Sequence, residues 1–307
     1  MRYRQLGNSG LTVSVVGLGC NNFGGRIDLD ASRAVVDSAL DAGVTLFDTA
    51  DIYGNRGGSE TILGEVLKGR RDQVVLATKF GGDMGGPQQA RGSRRYIRTA
   101  VEASLNRLQT DWIDLYQLHV PDPRTPLEET LAALDELVHE GKVRYVGSSN
   151  LPAWQVAHAE WVAATRHLER FVSAQNNYSL LERRAERELL PACERYGIGV
   201  LPFFPLANGL LTGKYRRGEP IPPGTRMSGR PIADASWDAL EALEAFASQR
   251  GHTLLELAIG ALASTPQVAS VIAGATRAEQ VKANVVAGDW ELSADDREAL
   301  AEVLGKR

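Results

Sequence analysis

Four polar side chains stand in and just beyond apolar runs at places where packing does not require them. Asp48 closes Val44-Thr-Leu-Phe-Asp, Lys79 follows Val74-Val-Leu-Ala-Thr, and His119 follows Ile113-Asp-Leu-Tyr-Gln-Leu. Tyr53 lies five residues beyond Asp48, in Asp-Thr-Ala-Asp-Ile-Tyr, close enough to fold back over the same strand end. A buried charge is costly unless it is paired, so a lysine and an aspartate in such positions imply each other. A tyrosine with a pKa near 10 is a poor acid at neutral pH, but a neighbouring ammonium lowers a pKa by about 1 to 3. Lys79 can supply that ammonium, Asp48 can keep it protonated, and the neutral imidazole of His119 can hydrogen-bond an incoming carbonyl oxygen. The chemistry this set could perform is proton donation to a polarised C=O.

Such a set works only if several strand ends converge. The apolar runs begin at Val15, Val44, Val74, Ile113, Val143, Phe171, Gly199 and Val268. Their starts recur at about 30 residues apart from two longer gaps, the repeat of a βα unit in a closed barrel. Between them, Ser32–Ala42, Arg94–Leu108, Leu127–His139 and Ala185–Tyr196 carry apolar residues at helical spacing. The pattern predicts an α/β fold, a (β/α)8 TIM barrel, with an N-terminal β-hairpin and a C-terminal extra helix, as a single domain over residues 1–307. The hairpin is expected in Arg2–Val16, turning at Asn8-Ser9-Gly10 and plugging one barrel end. Arg216–Pro231 is rich in Gly, Pro and Arg without periodicity and reads as a lid. In this fold the carboxyl ends of the strands face one opening. Ser149 and Asn150 after the fifth run, and Gln175 and Asn176 after the sixth, would join the four residues there.

Composition narrows the function classes. The 307 residues carry 34 Lys+Arg against 38 Asp+Glu, a net charge of -4, too balanced for a surface that neutralises a nucleic-acid backbone. With 43% hydrophobic and 23% charged residues the chain can build an ordinary globular core. The start, MRYRQLGNSG, lacks a signal-like apolar run and no stretch has the roughly 18 apolar residues of a spanning helix, so a cytoplasmic protein without a membrane partner is expected. Cys20 and Cys193 read as reduced thiols, the first in a pocket wall and the second in helix packing. The five tryptophans, Trp112, Trp154, Trp161, Trp237 and Trp290, read as core and helix packing. The remaining histidines lack ligand spacing, so no metal is expected.

LFDTADIYG, ATKF and LYQLHVPD resemble the motifs that carry the Asp, Tyr, Lys and His tetrad of the aldo-keto reductase superfamily. The resemblance runs from RQLGNSGLTVSVVGLG through GLLTGKY to VIAGATRAEQVKAN, and its style is nearest the bacterial members and the potassium-channel β-subunit branch. It implies an NADP(H)-dependent oxidoreductase that reduces aldehydes or ketones by hydride transfer, with Tyr53 as general acid, Lys79 and Asp48 tuning it, and His119 orienting a small-molecule carbonyl substrate. It implies that Asn150 and Gln175, beside Ser149, hold the nicotinamide carboxamide, and that Phe203 stacks on the nicotinamide ring. It assigns Leu206, Asn208, Gly209 and Lys214 to the pyrophosphate. Gly274, Thr276, Arg277, Gln280 and Asn284 would take the adenosine 2'-phosphate and adenine, which favours NADPH over NADH.

Two positions depart from the family pattern: Phe204 replaces a small polar residue, and Ala283 stands where many relatives have Glu. Neither Gly209–Gly213 nor Gly17–Gly25 forms a P-loop or a GxGxxG fingerprint. Two other functions remain open: a regulatory barrel that senses its cofactor with little turnover, and a Schiff-base aldolase using Lys79. The oligomeric state is open as well.

Overall fold

A computed structural model of the chain describes residues 1–305. A hairpin of β1 (Tyr3–Gln5) and β2 (Thr12–Ser14) precedes eight parallel strands: β3 (Val16–Gly19), β4 (Leu46–Asp48), β5 (Val75–Phe80), β6 (Ile113–Leu118), β7 (Val143–Ser149), β8 (Phe171–Gln175), β9 (Gly199–Val200) and β10 (Val271–Gly274). They neighbour one another in the order β10-β3-β4-β5-β6-β7-β8-β9. The circle closes where Val200 bridges Val268 and Ile272 N–H donates to Pro202 O at 3.0 Å. The expected (β/α)8 barrel is therefore the observed architecture. β9 is short because Pro202 has no N–H to continue the ladder.

Helices α1 (Leu29–Asp41), α2 (Tyr53–Val66), α3 (Arg94–Leu108), α4 (Leu127–His139), α5 (Ala153–Arg166), α6 (Leu189–Tyr196), α8 (Leu254–Ala263) and α9 (Ala278–Ala287) wrap the outside. Two-residue alternation sorts the strand side chains between the two cores. Leu46, Ala77, Leu115, Leu201 and Ile272 fill the barrel interior, while Phe47, Leu76, Tyr116, Val146 and Val200 face the helices. α1 begins earlier than its apolar spacing suggests because the Asp28 carboxylate caps it, accepting from Ala31 N at 3.0 Å. The Ala185–Tyr196 stretch divides into a short 3-10 turn and α6, since Glu188 leaves the helical region at φ -135°.

Two further helices pack together outside the βα repeat. α10 (Ala294–Val303) is the expected terminal helix; α7 (Asp234–Ser248), between the lid stretch and α8, was not anticipated. Leu240, Leu243 and Phe246 of α7 meet Leu292 and Leu300 in a separate apolar cluster. Their helical spacing was visible in the sequence beside the irregular stretch.

The hairpin closes the amino end of the barrel, as expected of a plug. Leu6 and Val13 are fully buried among the interior strand residues. The left-handed residue of its turn is Gly7, at φ 59°, and not one of Asn8-Ser9-Gly10. Gly7 is required there because a Cβ would run into the backbone of Gly197 and Gly199. Trp154 and Trp161 contradict the packing expectation: they are 65% and 63% exposed. α5 buries Val156, Ala159, Val162 and Ala163, which turns the tryptophans to the opposite face.

Truncating the plug should loosen the floor on which the strand ends rest. Leu6→Ala is expected to lower the unfolding free energy by about 2 to 5 kcal/mol, the range for deleting a fully buried leucine, measured by urea unfolding.

Candidate active site

The same alternation that builds the interior core carries polar groups to its upper layer. Inward positions continue from Leu46 to Asp48, from Ala77 to Lys79 and from Leu115 to Gln117, with Ser149 and Gln175 closing β7 and β8. Lys79 is fully buried and its Nζ donates to Asp48 Oδ2 at 2.7 Å and Thr49 O at 2.8 Å. The other Asp48 oxygen accepts from Gln175 Nε2 at 2.8 Å and Gln117 Nε2 at 3.3 Å. Gln117 was missed in the sequence; its polar amide inside an apolar run, two residues before His119, was the available signal.

Tyr53 is brought over this pair by an unusual turn. Gly54, Asn55, Arg56 and Gly57 all have positive φ, so regular helix begins only after them, and Tyr53 leans back over the strand ends. Lys79 Nζ lies 5.1 Å from the Tyr53 ring centroid, and His119 meets that ring edge-on at 5.8 Å. His119 is fixed by its backbone: its N–H donates to Phe80 O at 2.9 Å and its carbonyl accepts from Asn150 Nδ2 at 3.0 Å. The four predicted residues are thus brought together.

Burial disfavours the charged form of Lys79, but Asp48 and Tyr53 outweigh it and hold its pKa above the ordinary lysine value. For Tyr53 the expected lowering does not prevail. Burial raises its pKa, and the Asp48 charge opposes the Lys79 ammonium, so the net direction is upward and the phenol keeps its proton at neutral pH. Burial, with Lys79 behind it, pushes His119 down to about 3, leaving the imidazole neutral. The arrangement can offer a carbonyl oxygen two neutral hydrogen-bond donors backed by one buried cation.

From this centre a cleft of ≈ 770 Å³ runs toward the ends of β9 and β10. Every residue expected on the cofactor lines it: Ser149, Asn150, Gln175, Phe203, Leu206, Asn208, Gly209, Lys214, Gly274, Thr276, Arg277, Gln280 and Asn284. Asp48, Tyr53, His119 and Cys20 line it too, while Lys79 lies behind the wall. Gln175 and Asn150 have committed amide N–H groups, to Asp48 and to His119 O and Ser149 Oγ. Their oxygens remain to accept from a carboxamide. Gln280 Oε1 accepts from Thr276 N at 2.8 Å and Oγ1 at 3.1 Å, ordering the turn before α9. Asn176 turns away, its Nδ2 donating to Leu151 O.

The lid stretch folds over the cleft without regular secondary structure, as expected. It brings in Arg226, which together with Arg26 was absent from the sequence-based set. Arg226 donates to Asn22 Oδ1 at 3.1 Å and lies 5.8 Å from the Phe204 ring centroid, and Arg26 donates to Gly224 O at 3.0 Å. Nothing in their spacing could have placed them, since irregular chain has no period. Phe204, at φ 53°, sets its ring edge-on to Phe203 at 5.1 Å. Arg26, Lys214, Arg226 and Arg277 all line the cleft, and none ion-pairs with a carboxylate among the described residues. The neighbouring Arg216 and Arg217 do, with Glu244, Asp238 and Glu241. Unpaired cations beside a glycine-containing loop and the start of a helix suit phosphate groups.

Comparison with known proteins finds related sequences over nearly the whole chain. The profile of the Aldo/keto reductase family matches residues 15–304. The chain is 39% identical, over 98% of its length and 94% of the relative's, to an uncharacterized oxidoreductase of Bacillus subtilis. It is 37% identical to a probable voltage-gated potassium channel subunit beta of Oryza sativa subsp. japonica, over 94% of this chain and 92% of the other. It is 35% identical to L-glyceraldehyde 3-phosphate reductase of Escherichia coli, over 94% of this chain and 87% of that one.

The neutral His119 has a stability consequence. Its pKa falls from 6.5 to about 3 on folding, so at this group the unfolded chain binds more protons between those values, and the contribution of His119 to stability drops as pH falls through that window. His119→Gln should flatten that part of the acid destabilisation, read from urea unfolding at a series of pH values.

Proposed function

The chain belongs to the aldo/keto reductase family, and from that premise we propose that it is an NADP(H)-dependent oxidoreductase reducing aldehydes or ketones to alcohols, with Tyr53 as the proton donor. The observation that carries this reading is the fully buried Lys79–Asp48 pair set directly behind the Tyr53 phenol. NADPH bound along the cleft would supply the hydride to the carbonyl carbon. Tyr53 Oη gives its proton to the carbonyl oxygen, and the phenolate left behind is stabilised by the Lys79 ammonium until solvent reprotonates it. His119 hydrogen-bonds the same oxygen and orients the carbonyl.

Residues toward the β9 and β10 ends would hold the cofactor. Phe203 offers a ring face to the nicotinamide, Asn150 and Gln175 offer oxygens to its carboxamide, and Lys214 and Arg226 offer charge to the diphosphate. Thr276 and Arg277 would meet the 2'-phosphate, which favours NADPH. The ion pair also speaks against an aldolase, because an ammonium held protonated by Asp48 is no nucleophile. The relatives named as channel subunits keep a cofactor-sensing role in view; tight cofactor retention with very slow turnover would mark it.

Tyr53→Phe is expected to keep NADPH binding and lose about 10²- to 10⁴-fold in turnover, the usual worth of a positioned acid. The measurement is nicotinamide absorbance over a panel of aldehydes and ketones that includes L-glyceraldehyde 3-phosphate. Undiminished turnover in Tyr53→Phe would overturn the reading. Arg277→Ala should weaken NADPH about 10-fold or more, the loss of one charge-assisted contact, while leaving NADH affinity unchanged.

A further inference from the structure

Between the sheet and helices α2 and α3 lies a polar cage that the proposed reaction leaves unused. Asp51 is 1% exposed, and neither of its carboxylate oxygens has a hydrogen-bond partner. Its backbone N–H donates to Lys79 O at 3.0 Å, tying its position to the strand that carries the ammonium. Gly82 closes the cage so tightly that a Cβ there would lie 3.2 Å from Asp51 Oδ1. A bare carboxylate in such a place would violate the rule that buried charges are paired.

The surrounding groups explain how it is tolerated. From α2 comes Glu60, fully buried, which accepts from Thr78 Oγ1 at 2.6 Å and from Arg107 Nε and Nη2 at 2.7 Å each. From α3 come Arg107 and Tyr96, and from β6 comes Tyr116, whose hydroxyl is also buried without a partner. On the barrel side are Lys79, committed to Asp48, and the phenol of Tyr53. Both cations are engaged elsewhere, and Glu60 repels a second negative charge. Burial and Glu60 together push Asp51 up to about 7, against a partial pull from the nearby Ile52 backbone N–H, Arg107 and Lys79.

We propose that Asp51 is a positioning residue for the proton donor: protonated, it leaves the field of the Lys79 ammonium on Tyr53 intact, and ionised, it weakens that field and makes Tyr53 a poorer acid. The acid strength of the site then responds to pH in the neutral range, the Asp51 proton exchanging with solvent. This rests on reading Tyr53 as the proton donor, but its test needs no turnover.

Phenolate absorbance is titrated in the full chain and in Tyr53→Phe, and the difference isolates Tyr53; the same pair is measured with Asp51→Asn. A neutral amide at position 51 should move the Tyr53 midpoint down by about 1, the low end of what a nearby charge does. An unchanged midpoint overturns the proposal, whereas turnover surviving in Tyr53→Phe would overturn only the proton-donor reading. Folding supplies a second arm. Folded Asp51 binds its proton up to about 7 against an ordinary value of 3.8, so the contribution of Asp51 to stability falls as pH rises through that window. The melting temperature of Asp51→Asn should therefore gain on wild type across the same window, and a pH-independent gap overturns the proposal. Should Asp51→Asn fail to fold, infrared spectra of wild-type protein with isotope-labelled aspartate decide. A protonated aspartic carboxyl vanishing through about pH 7 supports the inference, and none present overturns it.

Discussion

A lysine ammonium held inside the barrel by one aspartate is the interaction on which the site depends. Removing both charges from water is expensive, and their attraction offsets the cost only when the remaining hydrogen-bonding capacity is also satisfied. Here it is: Asp48 accepts from Lys79, Gln175 and Gln117, and Lys79 donates to Asp48 and Thr49 O. The third ammonium proton remains for the Tyr53 side. Four strands must be in register for this to close, so the ion pair doubles as a check on the alignment of β4, β5, β6 and β8.

The barrel meets that demand by layering. Apolar side chains fill its lower interior, the hairpin seals the floor with Leu6 and Val13, and the polar layer sits on top where the strands end. The division is electrostatic as much as steric. Around the Tyr53 turn the Asp51 carboxyl, the Tyr116 hydroxyl and His119 Nδ1 are buried without hydrogen-bond partners; along the cleft, four cations stand without carboxylates among the described residues. The proposed proton-handling centre and the proposed anion-binding channel thus lie on one rim but come from different elements, the first from strand ends and the second from loops and the start of α9.

Most of the tetrad was legible because its members sit at strand ends in a strongly periodic chain, where a charged residue interrupts an apolar pattern. The cofactor roles expected of thirteen residues followed from resemblance, with Ser149, Asn150 and Gln175 also legible as strand ends, and the cleft gathers all thirteen. What escaped reading fell where no period exists or where one residue type has two outcomes. Arg26 and Arg226 arrive through irregular loops. Trp154 and Trp161 look like core by type, but α5 turns its small residues inward. The sign of the Tyr53 shift also escaped, because spacing shows that Lys79 and Asp48 are near but not how burial balances their opposed charges.

The sequence by itself determined the repeat, the strand ends and the residue types that meet there, since alternation and spacing are properties of the chain alone. Only the tertiary structure decided which of those polar groups share partners and which are left bare. Asp48 and Asp51 are three residues apart in one motif, yet one is neutralised by an ammonium inside the barrel and the other is stranded among Glu60 and two phenols outside it. Their difference comes from which side of the sheet each carboxyl faces and what is packed there, and desolvation and neighbouring charge act through three-dimensional distance.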